Sequence, residues 1–545
     1  MKKNRILSNL LRLCSVPSIS ETNGEIDIAH EIYKILNEIN YFKNNPEMVK
    51  VCPMNGDPYN RSFVYALMKS EKKNSKTIIL LSHFDVVGIE DFGILKELAF
   101  DPIAYTQKLK DNSQIQMSEE ARADLESGDY LFGRGIMDMK FGIAADIEIL
   151  YTMEKELSNF EGNLLFLSVP DEEANSAGML AAVELLESLK KEQQLEYSCC
   201  LVSEPHFPKY PKDDTKYIYT GTVGKLLPSF YCVGKETHVC EPFSGLNANR
   251  LTAKLIENID SNPELSDYVM DTIVPPPACL KQADTKIDYS VQTPTSAYTY
   301  FNYMTLVKTP QEVMQSMINI AESSFKEVLS DIRTNIEKLS ESTGEILNIP
   351  NIEPKVITFQ ELYKLCYKTH GDKFQLHLKK FIDNQKSNQD LRDLSIEIVK
   401  EAHKFCPYRN PIIVVFYSPP FYPHSDIQNL DNKVIQVSKH IVKFAKQKFN
   451  ETIKIEPFFM GLSDMSYLGL SKNVDITQLT NNFPIWDMSY HVPLETIAKL
   501  NIPFINVGPL GKDAHKYTER ICMSYSFEKA ADIILEAVLS LLKLD

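Results

Sequence analysis

Three times in the first 205 residues a short apolar run ends directly in side chains able to bind a metal ion, and this repetition constrains the fold more than any other feature. The runs are TIILLS at 77–82, NLLFLSV at 163–169 and SCCLV at 198–202. Apolar stretches of this length, without polar alternation, predict strands buried on both faces, as in the parallel sheets of α/β proteins. Helical patterns at 143–157 and 179–189 lie between them, the alternation expected of an α/β sheet domain. In such sheets ligands bind beyond the carboxyl ends of the strands. His83 and Asp85 follow the first run, Asp171, Glu172 and Glu173 the second, and Glu204 the third.

In HFDVV, residues i and i+2 share a face at the strand end, so Asp85 can hold the His83 imidazole from behind, as a ligand histidine usually requires. An HxD alone is common and carries little weight. GRGIMDMKFG places Asp138 at the opening of a helix, beside glycines that permit close backbone approach. An Asp there also complements the helix dipole without any metal. Three adjacent carboxylates at 171–173 repel one another unless a cation or a base role compensates. Neighbouring glutamates point in different directions, so one can bind metal while the other faces water. His515 lies in a Gly-rich loop after the strand-like run 504–507, with Glu519 four residues on. Two histidines and three carboxylates form the mixed nitrogen and oxygen set that a pair of divalent ions needs, with one carboxylate bridging. His491, Asp487 and His424 read as loop structure, and Cys199 and Cys200 as small apolar residues of a buried strand.

At 545 residues the chain exceeds one ordinary core, so two domains are expected. The α/β pattern of 1–220 gives way near Gly221 to a stretch of strands and helices, with a strand-like YTYFNYMTLV and a helix opening near Thr309 and Pro310. Residues 340–410 are polar and Lys-rich and read as surface helices and loops. The α/β pattern resumes at 429–545, with a helix to Phe449 and a strand-like run at 453–459. Residues 221–428 are therefore expected to be an insertion of roughly 200 residues, a normal domain size. A net charge of -15 argues against a nucleic-acid or anionic-membrane surface. No apolar run approaches the roughly 20 residues of a membrane span. The opening MKKNRILSNLLRLCSVPSIS is broken by Arg12 and reads as an amphipathic helix burying Ile6, Leu7, Leu10, Leu11 and Leu13, not as a signal peptide. Ten cysteines without a CxxC pair fit a reduced, cytoplasmic compartment.

The segments HFDVV, GRGIMDMKFG, PDEEANSAG, SEP and GPLGKDAHKYTE, in this order, resemble those of the zinc-dependent aminoacylase/carboxypeptidase family, which includes succinyl-diaminopimelate desuccinylase and bacterial tripeptidase. The early LRLCSVPSIS and the late GLSDMSY extend the likeness nearly end to end, and GPLGKDAHKYTER points to the arginine-utilisation subgroup. The resemblance implies a zinc-exopeptidase-like α/β catalytic domain, a mostly parallel sheet with helices on both faces, interrupted by an α+β lid and dimerisation domain. It implies that Asp138 bridges two divalent ions, zinc with cobalt or manganese as alternatives. His83 and Glu204 would complete one ion's ligands, Glu173 and His515 the other's. Asp85 would orient His83, and Glu172 would be the general base. GKETHVCEPFSGLNAN matches the family's lid pattern and singles out His238 as an oxyanion donor reaching a partner subunit's site. Asn302 matches a substrate contact, whereas no motif distinguishes Arg250, Arg392 or Arg409 as the holder of a substrate carboxylate. The implied activity is hydrolysis of an amide bond in a small, arginine-related peptide or N-acyl amino acid, by a homodimer formed through the lid. The competing readings are a lidless-type zinc aminopeptidase and a non-catalytic metal- or amino-acid-binding protein.

Overall fold

A computed structural model describes residues 2–112, 114–210, 213, 215–344, 351–385, 390–425 and 431–543. The chain divides into two compact units: Met1–Thr222, Ser425–Leu470 and Glu495–Asp545 form the first, Val223–His424 and Ser471–Leu494 the second.

The first unit is built on an eight-stranded sheet. Its strands are β1 (Val49–Pro53), β2 (Ser62–Lys69), β3 (Lys72–His83), β4 (Glu161–Val169), β5 (Glu196–Val202), β6 (Lys216–Tyr219), β7 (Ile453–Glu456) and β8 (Phe504–Asn506). Their order is β1-β2-β4-β3-β5-β8-β6-β7. The central run β4-β3-β5-β8 is parallel throughout, while β1 and β2 add antiparallel strands at one side. Ile78, Leu80, Leu164, Phe166, Cys199 and Leu201 enter one core with α1 (Lys2–Cys14), α2 (Gly24–Leu36), α3 (Lys140–Met153), α5 (Asn432–Phe449) and α6 (Ala531–Lys543). The intervening Ile79, Leu81, Leu165, Leu167, Cys200 and Val202 are buried as well. Burial of both parities is why these strands read as continuous apolar runs. Another helix, α4 (Ala177–Glu192), follows β4. In α1, Ile6, Leu10 and Leu13 are fully buried, whereas Leu7 and Leu11 are only half-buried. Among the described residues no helix is long and apolar enough to cross a membrane.

Parallel pairing brings the carboxyl ends of β4, β3, β5 and β8 to one edge in spatial order. His83 sits opposite Val169, and Val202 pairs with both Leu81 and Asn506. The loops that leave this edge therefore start side by side. Gly508 lets one of them cross another, because a Cβ there would lie 2.0 Å from the Glu204 carbonyl oxygen.

The second unit has a five-stranded sheet in the order Ala278–Asp284, Ser296–Thr305, Gly224–Val233, Ile412–Tyr422, Val356–Thr358. Its longest helix, Pro310–Thr343, opens on a capping box in which Thr309 and Glu312 satisfy each other's backbone N–H groups, with Pro310 in the first turn. Gly344 ends it in the left-handed conformation. The polar 340–410 region forms more than surface structure: Phe359–His370, Asp372–Asp383 and Leu391–His403 are helices that bury Leu362, Cys366, Phe374, Leu378 and Val399. The sequence pattern places 471–494 with the catalytic stretch, but Ser471–Leu494 belongs to the second unit. Tyr417 N–H donates to the Asn482 carbonyl at 2.8 Å, and Phe483 packs with Tyr417, Trp486 and Tyr490. His424 is 3.1 Å from Thr305 Oγ1 and is buried, and exposed His491 pairs with Asp487 at 2.6 Å.

His403 gives the second unit an acid-sensitive point. Its Nε2 is buried without a partner, and burial, followed by the charge of Arg409, lowers its pKa from 6.5 to about 4. The unfolded chain therefore binds a proton between these values that the folded protein refuses. The stability from neutral His403 is fully present above pH 6.5 and is lost as pH falls towards about 4. Urea midpoints measured across this range are expected to fall more steeply for the wild type than for His403→Phe; parallel curves would contradict this.

Candidate active site

The loops at the shared edge converge their polar side chains on Asp138. The Asp138 carboxylate lies at the loop before α3, and the peptide joining it to Met139 is cis. His83 Nε2 is 3.1 Å from its Oδ1, and His515 Nε2 is 3.3 Å from its Oδ2. One carboxylate thus faces both histidines, one through each oxygen. His515 Nε2 is also 2.9 Å from Glu173 Oε1, and His83 Nε2 is 3.7 Å from Glu204 Oε1 and 4.0 Å from Glu172 Oε2. The donor atoms of His83, Asp138 and Glu173 lie within 4.8 Å of one another.

Behind this cluster Asp85 organises two loops. His83 Nδ1 is 3.1 Å from the Asp85 carbonyl and 3.5 Å from its Oδ1, which leaves Nε2 facing the cluster. Asp85 also accepts from the Glu172 N–H at 3.0 Å, the Glu173 N–H at 3.2 Å and Ser20 Oγ at 2.7 Å. Glu519 points elsewhere: it receives Arg134 Nη1 at 2.8 Å, both side chains being buried, while Arg134 Nη2 reaches the His515 carbonyl at 3.3 Å.

The electrostatics describe a pocket crowded with negative charge. Burial pushes the Glu172 carboxyl well above its usual range; His83 opposes this, and Glu204, Glu173 and Asp464 add to it. Burial also takes Glu204 up to about 8, and burial with Asp138 raises Glu173. Hydrogen bonds to Asp138 and Glu173 raise His515 to about 10. Burial works against a charge on His83, but Glu172, Glu204, Asp138 and Asp85 outweigh it and raise its pKa. For Asp138 burial is outweighed by the two histidines, which hold its carboxyl below the usual range. So many acidic groups around two imidazoles are a suitable site for cations: a divalent ion would relieve the repulsion and accept the nitrogen and oxygen donors together. The residues present fit metal ions.

His83, Asp85, Asp138, Glu172, Glu173, Glu204 and His515 all come together in the first unit. His238 and Asn302 lie in the second: His238 is exposed, with Nδ1 accepting from the Cys240 N–H at 3.1 Å, and Asn302 is half-buried on Ser296–Thr305. Arg250, Arg392 and Arg409 also belong to that unit, where Arg392 pairs with Asp390 and Arg409 donates to the Lys404 carbonyl. One participant escapes the sequence argument except as part of the GLSDMSY segment, and one carboxylate of the 171–173 run does not join the cluster. Buried Asp464, raised to about 8 chiefly by burial, adds its field to Glu172 and Glu204. Asp171 turns away from the cluster to Arg61.

A cluster of carboxylates and imidazoles at the carboxyl ends of parallel strands, largely buried apart from exposed His515, is the site of a metal-dependent hydrolase. The profile of the Peptidase family M20/M25/M40 matches residues 111–503. The uncharacterized protein YqjN of Bacillus subtilis is 38% identical over 99% of this chain and 97% of its own. Protein RocB of the same organism is 34% identical over 97% of this chain and 94% of its own. The chain belongs to peptidase family M20/M25/M40 and is a metal-dependent amidohydrolase or exopeptidase. Its fold is shared with the YXEP protein of Bacillus subtilis, a dinuclear metal binding peptidase, at a TM-score of 0.51 and 12% identity over 99% of both chains.

Proposed function

We propose that the protein hydrolyses the amide bond of a small peptide or N-acyl amino acid, arginine-related in its amino-acid part, using two divalent ions, most naturally zinc. One observation carries this reading: Asp138 presents one oxygen to His83 and the other to His515, with Glu204 and Glu173 on the respective sides. In this reading Asp138 would hold both ions, His83 and Glu204 would complete one set of ligands, and Glu173 and His515 would complete the other. When bound, the ions lower the pKa of water and polarise the scissile carbonyl. Glu172 takes a proton from the attacking water as its oxygen bonds to the carbonyl carbon. It then delivers that proton to the departing nitrogen as the C–N bond breaks. Asp85 keeps the His83 proton on Nδ1 and fixes the backbone of Glu172 and Glu173.

His238 would stabilise the oxyanion from a second copy of the chain, with Asn302 touching the substrate. Support for this arrangement comes from the second unit's surface. Ala278–Asp284 is an edge strand carrying exposed Leu280, and the adjacent loop exposes Ile287 (91%) and Tyr289 (94%). Exposed edges and apolar groups of this kind mark association surfaces. The same loop is tied to the His238 segment, since the Val239 N–H donates to the Val291 carbonyl at 2.9 Å. Light scattering is expected to give twice the chain mass for the wild type and the chain mass for Ile287→Asp/Tyr289→Asp; a monomeric wild type would contradict it.

The reaction is tested by incubating protein loaded with zinc, cobalt or manganese with N-acyl amino acids and arginine dipeptides and measuring released amine. Turnover of at least one class, abolished by chelator and restored by metal, is expected. No release from any substrate above the Glu172→Gln background would overturn the proposed substrate class.

A further inference from the structure

Arg61 lies between β1 and β2, 110 residues before Asp171 in sequence. Its guanidinium is buried, with 3% of the side chain exposed, and meets three buried carboxylates. Nε and Nη2 hold Asp57, the latter at 2.7 Å; Nη1 donates to Asp171 Oδ1 and lies 3.3 Å from Glu25 Oε2. A buried fork of this kind fixes carboxylate orientation as well as charge.

Asp171 opens the turn that carries Glu172 and Glu173. Its backbone φ is 72°, a left-handed conformation that costs a non-glycine residue energy and persists only when its surroundings hold it. The hold is visible at every polar atom. The Asp171 N–H donates to Glu25 Oε1 at 3.0 Å, Oδ2 accepts from the Ala177 N–H at 3.0 Å, and the carbonyl accepts from the Asn175 N–H at 3.1 Å. Oδ1 is left to Arg61. On the other side of the turn, Asp85 receives the amides of Glu172 and Glu173. The turn is clamped between these two anchors.

We propose that Arg61 is a positioning residue: through Asp171 it fixes the turn that aims Glu173 at His515 and Asp138, and so sets the affinity of one of the two metal positions. This rests on the two-ion reading of the site. With Arg61 or its grip on Asp171 removed, the strained turn relaxes, Glu173 moves, and the position it shares with His515 weakens. The His83 and Glu204 position is carried by β3 and β5, which Arg61 does not touch, and is unaffected.

The test is titration of metal-free protein with Co²⁺, followed by visible absorption and calorimetry, with urea unfolding alongside. The wild type is expected to bind in two steps, and His515→Ala identifies the step belonging to the Glu173 position. In Asp171→Asn and Arg61→Met that step should weaken by about 10–100-fold, the usual effect of removing a group that orients a ligand, while the other stays within about twofold. Asp57→Asn, which removes a partner of Nε and Nη2 and keeps the Nη1 grip on Asp171, should lower stability and leave both steps in place. Asp171→Asn preserves shape and serves where Arg61→Met does not fold. Equal weakening of both steps, no change in either, or the same selective loss in Asp57→Asn would overturn the proposal. A wild type that binds fewer than two Co²⁺ would instead overturn the two-ion reading, and the proposal with it.

Discussion

Glu172→Gln is expected to lower kcat by about 10²–10⁴-fold, with metal content unchanged, on whichever amide substrate the wild type hydrolyses. This corresponds to about 3–5 kcal/mol of lost transition-state stabilisation. Gln matches Glu in size and keeps the backbone N–H that Asp85 accepts at 3.0 Å, so the turn stays in place. It cannot take a proton from water. Glu172 Oε2 stands 4.0 Å from His83 Nε2, at the edge of the donor cluster, whereas Glu173 Oε1 is 2.9 Å from His515 Nε2, within it. The neighbouring substitution Glu173→Gln should therefore show the opposite signature, loss of metal first and of activity in consequence. Elemental analysis beside steady-state kinetics separates the two. Metal loss in Glu172→Gln would exchange the assigned roles, and unchanged kcat would remove Glu172 from the chemistry.

The parts of this site legible in the sequence are those fixed by local pattern. TIILLS, NLLFLSV and SCCLV announce buried strands because both parities are apolar, and parallel strands bring the residues just beyond their carboxyl ends to one edge. That rule alone gathers His83, Glu172, Glu173 and Glu204. His515 also follows a strand-like run, 504–507, but it stands deeper in its Gly-rich loop, where no periodicity places it, and the resemblance adds most there. Asp171 shows where local reasoning stops. Three consecutive carboxylates suggest a cation as their common counter-charge, yet the counter-charge of the first is Arg61, 110 residues earlier in the chain. The assignment of Ser471–Leu494 to the second unit is equally hidden. It stems from packing of Phe483 on Tyr417, with Trp486 and Tyr490 packed in turn on Phe483, and no turn or composition shift at its ends reports such contacts.

The second large effect concerns Asp138, and it bears most directly on the central claim that this cluster is a two-ion hydrolytic site. Among the described residues Asp138 is the one paired with both histidines, so in the proposed site its loss would remove an oxygen from each metal position and the bridge between them. Asp138→Ala also leaves His83 and His515 against Glu173 and Glu204 without their shared partner. The fold should survive, because α3 is anchored by its own buried face, including Phe141, Ile147 and Leu150. The decisive measurement is metal content per chain by elemental analysis, on wild type and Asp138→Ala purified without chelator and refilled with zinc side by side. About two ions per chain in the wild type and less than one in the folded variant is the predicted result. Equal metal in both proteins, or none in the wild type, would contradict it.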